Sequence, residues 1–62
     1  MIKRIVEEFR IGEGVEINLG DGNWLRALVV YLDHPGIWVQ DDLGRRWFVT
    51  NKKNIRRWAD AS

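Results

Sequence analysis

None of the 62 residues is a cysteine, which excludes disulfide frameworks, thiolate metal sites and cysteine nucleophiles together. Histidine is nearly as scarce: His34 stands alone, so a multi-histidine zinc centre cannot be assembled. The only serine is Ser62, so the Asp33-His34 pair has no serine or cysteine nucleophile near it in sequence, and a nucleophile–base–orienter set is not met. Asp41-Asp42 are adjacent carboxylates, but neighbours at a strand end point apart and read as a turn. The glycines Gly12, Gly14, Gly20 and Gly22 flank a strand rather than joining a strand to a helix, which fits turns and not a phosphate loop. No apolar run approaches the roughly 20 residues of a membrane span. Met1-Ile2-Lys3-Arg4-Ile5 lacks the apolar stretch and cleavage site of a signal peptide. The expectation is a non-enzymatic protein, cytoplasmic (nuclear in a eukaryote), without catalytic residues, metal, cofactor or membrane.

What is present is an ordinary globular composition, 45% hydrophobic and 31% charged, in one small domain spanning 1–62. Such a chain buries only about 60% of its unfolded surface, so its core is thin. The net charge of +1 hides an asymmetry. Residues 1–44 hold four basic and eight acidic side chains (−4), while residues 45–62 hold six basic ones against Asp60 (+5). That split points to a positive face for an anionic partner, or else to a basic tail paired with an acidic front half. Four tryptophans, Trp24, Trp38, Trp47 and Trp58, can enlarge a thin core or offer stacking platforms.

Ile2, Ile5, Val6 and Phe9 fall at i, i+3, i+4 and i+7, the stripe of a short docked helix, with an extended arm as the competing reading of 1–10. From Val15 the period becomes two. Strands are predicted over 15–19, 24–32, 37–40, 46–50 and 55–58, with Gly20–Asn23, Asp33–Gly36, Asp41–Gly44 and a tight or 3₁₀ turn at Asn51–Asn54 between them. Residues 59–62 are expected to fray. In the long second strand Leu25, Ala27, Val29 and Tyr31 share one side, and Trp24, Arg26, Leu28, Val30 and Leu32 the other. Five short strands joined by tight turns predict a mainly β fold, a five-stranded SH3-like barrel over 11–58 preceded by a short helix.

Phe9-Arg10-Ile11-Gly12 leading into Val15, Asp21-Gly22-x-Trp24, Gly36-Ile37-Trp38-Val39, Asp42-Leu43-Gly44 and Asn54-Ile55-Arg56 resemble, in that order, the SH3-like barrels of Tudor and agenet modules and of retroviral integrase C-terminal domains. The integrase resemblance implies sequence-independent DNA binding through basic side chains. The Tudor resemblance implies an aromatic cage for a methylated cation, for which Trp24, Tyr31, Trp38 and Phe48 are available with Asp41 or Asp42 beside them. Val15-x-Ile17-x-Leu19-x-Asp21-Gly22 is similar to the strand and turn of Sm-like barrels, which implies an oligomeric RNA-binding subunit. The Met-Asn pair of that pattern is here replaced by Gly36.

The residues expected to carry nucleic-acid binding are Arg45, Arg46, Lys52, Lys53, Arg56 and Arg57 for phosphates, with Trp38 and Trp58 for bases. Strand parity places Trp47 and Val49 inward, with Arg46 and Phe48 outward. With Ile55 inward, Arg56 and Trp58 form an outward Arg–Trp pair, and Trp38 faces away from Ile37 and Val39. DNA or RNA is the expected partner, with a second copy or another protein covering surplus apolar surface.

Overall fold

Alternation of β-branched and polar residues dominates the chain from Val15 onward, and the computed structural model, which describes residues 3–58, folds this stretch into five antiparallel strands. Helix α1 (Ile5–Glu8) comes first, then β1 (Gly14–Asn18), β2 (Trp24–Asp33), β3 (Gly36–Asp41) and β4 (Arg46–Val49). A 3₁₀ turn (Lys52–Asn54) leads into β5 (Ile55–Arg57). The strands form one sheet in the order β4-β3-β2-β1-β5. Closure into a barrel was expected. Among the described residues the sheet is instead open, with β4 and β5 as its edges and no pairing between them.

One face of the sheet makes the core. Val15 and Ile17 from β1, Ala27 and Val29 from β2, Ile37 and Val39 from β3, Val49 from β4 and Ile55 from β5 are all buried. They form one cluster with Ile5 and Phe9 of the N-terminal segment. Val49 and Ile55 lie on opposite edges of the sheet yet belong to this cluster, so the sheet curls over its apolar face. Helix α1 docks there through Ile5, with Val6 partly buried beside it. The helix is a single turn, shorter than the predicted stripe, and Ile2 lies outside the described residues. So do residues 59–62, where fraying was expected.

Several strand ends differ from expectation, each for a local reason. β1 ends at Asn18 because the Asn18 side chain accepts a hydrogen bond from the Gly20 N–H (2.8 Å), turning the chain and leaving Leu19 exposed. Thr50 and Trp58 fall outside β4 and β5. β2 carries a bulge: Val29 pairs with Val39 but Tyr31 pairs with Trp38, so Val30 is the extra residue. Strict alternation placed Tyr31 beside Val29 and Leu32 on the other side. The bulge reverses this, turning Tyr31 outward and bringing Leu32 against the core.

The β3–β4 turn is built on a buried carboxylate. Asp41 faces inward with Ile37 and Val39, and accepts from the Leu43 N–H (2.9 Å), the Arg45 N–H (2.9 Å) and Arg45 Nε (2.7 Å). Burial alone would raise its pKa. The hydrogen bonds and charge of Arg45, with the Leu43 N–H, outweigh that and hold the carboxyl below its ordinary value. Gly44 closes the turn at φ +81°, a left-handed conformation that a side chain would strain.

Candidate nucleic-acid interface

The six C-terminal cations do not share one face. Arg45 is bound to Asp41. Lys52 pairs with Glu8 (3.0 Å) and also donates to the Lys3 carbonyl (2.9 Å). Arg56 sits across from Glu16 in the β1–β5 register and pairs with it at 3.0 Å. Arg57, on the same side of β5 as Ile55, covers the Phe9 ring at 4.7 Å, pairs with Glu13 (2.7 Å) and donates to the Glu8 carbonyl. These four reach acidic residues within the first 44, so for them the charge asymmetry is internal pairing. Among the described residues the Arg46 side chain bonds only the neutral Gln40 (3.0 Å), and Lys53 is exposed and belongs to none of the ion pairs.

The tryptophans divide by strand face. Trp47 points inward, packs against the core, and has its buried Nε1 without a hydrogen-bond partner among the described residues. Trp58 is 43% exposed, as parity indicated, but it is tied down. Its Nε1 donates to the Val15 carbonyl (2.6 Å) and its ring lies flat on Gly14, where a Cβ would come within 2.6 Å. The outward Arg–Trp pair is also rearranged. Arg56 covers Trp24 (4.0 Å) and Arg26 covers Trp58 (5.3 Å), each long side chain reaching across β1, which lies between β2 and β5.

Trp38 has different company. It stands on the outer face of β3, opposite Phe48 of β4 and Tyr31 of β2. The Trp38 and Phe48 rings meet at 4.9 Å with a 39° tilt, and the Phe48 ring lies over Gly36. Tyr31, Trp38 and Arg46 line a surface recess of about 350 Å³. Tyr31 is 58% and Phe48 40% exposed, and Leu28 extends the apolar surface along β2. Tyr31 was missed as an outward residue because nothing in the sequence marks the bulge at Val30. Of the predicted set, the structure thus unites Trp38 with Arg46, and adds Tyr31 and Phe48.

The sheet face supplies flat apolar rings with a guanidinium beside them. Such rings accept π-faces without regard to sequence, and a guanidinium with no carboxylate partner remains available to an anion. Trp24, one candidate for an aromatic cage, lies under Arg56 and takes no part in this recess. Asp41 turns to the opposite face and is held by Arg45, so it cannot supply negative charge here. Comparison with protein-family models, curated proteins and solved structures finds no match to this chain.

Proposed function

We propose that this protein binds single-stranded nucleic acid on the outer face of its sheet, with bases stacking on Trp38 and Tyr31 and a phosphate held by Arg46. The observation that carries this reading is the recess itself: aromatic rings beside a guanidinium that pairs with no carboxylate among the described residues. The rings are exposed on the outer face of the sheet, which suits an unpaired strand. A duplex hides its base faces and would meet only Arg46. We further propose that the architecture is of the SH3-like kind, a reading supported by the meander of β1 to β4 with β5 returning to pair with β1, the 3₁₀ turn before β5 and the core cluster running from edge to edge.

The rings of Tyr31 and Trp38, with Phe48 against Trp38, favour a second reading, a cage for a methylated lysine or arginine. Charge separates the two. A cage holds its cation best with a carboxylate nearby, whereas this recess is lined by Arg46. Titration of intrinsic tryptophan fluorescence with an oligothymidylate, its duplex with oligoadenylate, and a trimethyl-lysine peptide tests the choice. The single strand is expected to quench most strongly. Trp38→Ala should cost about 1–3 kcal/mol of its binding, or roughly 5- to 150-fold in affinity. Binding of the peptide but not the oligonucleotide would overturn the proposal in favour of the cage.

A further inference from the structure

A second cationic feature lies outside this recess. Helix α1, the β2–β3 turn and the segment after β4 enclose a groove of about 610 Å³, lined by Lys3, Arg4, His34, Thr50, Lys52 and Lys53 among others. Four of its lining residues carry permanent positive charge. Lys52 is matched by Glu8, but Lys3, Arg4 and Lys53 enter no ion pair among the described residues. All three are exposed. None of the nearest carboxylates along the chain, Glu7, Glu8 and Asp33, lines the groove. Glu8 is held by Lys52, and Glu7 accepts from the Arg4 backbone N–H (3.2 Å). Asp33 is exposed at the end of β2.

The groove adjoins the aromatic recess. Phe48, which contacts Trp38, lies over Gly36; Pro35 precedes that glycine and lines the groove. Thr50, two residues beyond Phe48, lines it as well.

We infer that this groove binds the phosphodiester backbone, holding through Lys3, Arg4 and Lys53 the phosphates of a strand whose bases lie on Trp38 and Tyr31. The identity of the ligand rests on the function proposed above, while the anion site rests on the groove alone. Three cations acting on a single strand contribute about 2 units to the slope of log affinity against log salt. Raising salt from about 50 to about 200 mM should therefore weaken that contribution roughly 20-fold.

The test uses an abasic phosphodiester oligomer, which offers phosphates but nothing to stack. Its binding to the whole protein, followed by fluorescence anisotropy of a labelled end, should show that salt slope. The exposed triple variant Lys3→Gln/Arg4→Gln/Lys53→Gln should reduce the slope by about 2 units, leaving only the share of Arg46, and Trp38→Ala should leave it in place. No binding of the abasic oligomer, or a triple variant that binds it like the parent, would overturn the groove. Oligothymidylate quenching that still depends on Trp38 would then leave the stacking function standing. Abasic binding that needs the three cations, with oligothymidylate indifferent to Trp38→Ala, would keep the anion site and remove the stacking function. Tripolyphosphate provides the remaining arm. Weak competition supports a strand as the source of the phosphates, and competition equal to the oligomer's at matched phosphate would overturn it in favour of free polyphosphate.

Discussion

Replacing Arg57 by Gln should destabilise the fold, although a basic residue in a cationic tail invites the opposite expectation. Arg57 ties β5 to the N-terminal segment by three contacts: the Glu13 carboxylate, the Glu8 carbonyl and the Phe9 ring. Its side chain remains 41% exposed, so the ion pair is screened and contributes about 0.5 kcal/mol. A partly exposed cation–π contact adds about 0.5–1 kcal/mol. The charge-assisted hydrogen bond to Glu8 adds about 1 kcal/mol after a similar discount for exposure. The sum is about 2 kcal/mol, against a total stability of about 3–9 kcal/mol for a chain of 62 residues. For a domain of this size that corresponds to a fall in Tm of roughly 8–16 °C. Thermal unfolding followed by far-UV circular dichroism measures it directly. A double-mutant cycle with Glu13→Gln should return a coupling of about 0.5 kcal/mol, since only the ion pair is shared between the two positions. A Tm within 2 °C of the parent would refute the reasoning. It would mean that Ile5, Phe9 and Lys52 hold the N-terminal segment without help from Arg57, which is then free to serve a ligand.

Gly36→Ala should lower stability by about 1–3 kcal/mol in chemical denaturation. The new Cβ would sit 2.5 Å from the Val49 carbonyl oxygen, a backbone atom that cannot swing aside, and would press on the Phe48 ring. Full parental stability would show that the β3–β4 pair can separate without cost. Asp41 predicts a pH window. Its carboxyl is held below its ordinary value in the folded state, so its contribution is complete above the unfolded pKa of about 3.9 and is lost as pH falls through the lower folded value. Asp41→Asn should therefore lower Tm at pH 7 and flatten its decline below about pH 4, and an unchanged acid limb would count against that role. Trp38→Ala should weaken single-strand binding while changing Tm less than Ile37→Ala does. Ile37 is fully buried, and its truncation costs about 2–5 kcal/mol.

Strand content, the turns and most inward-facing residues were legible in the sequence, because alternation of apolar and polar residues is set by the two-residue repeat of an extended chain. Val15, Ile17, Ala27, Val29, Ile37, Val39, Val49 and Ile55 all lie where that repeat places them. So does the turn at Asp41–Gly44, whose residue types suit its backbone. Three features belonged to tertiary structure alone. The bulge at Val30 reversed Tyr31 and Leu32, since one unpaired residue shifts every later side chain to the other face without leaving a signature in composition. Arg56 and Arg57 found Glu16 and Glu13 because β5 pairs with β1, joining residues 40 and 44 positions apart. Net charge along the chain could state that the two halves were complementary, but not which cations would meet a carboxylate. The recess of Tyr31, Trp38 and Arg46 is likewise drawn from three different strands. Local sequence determines which way a side chain points from its own strand, whereas strand order and register determine what it meets there.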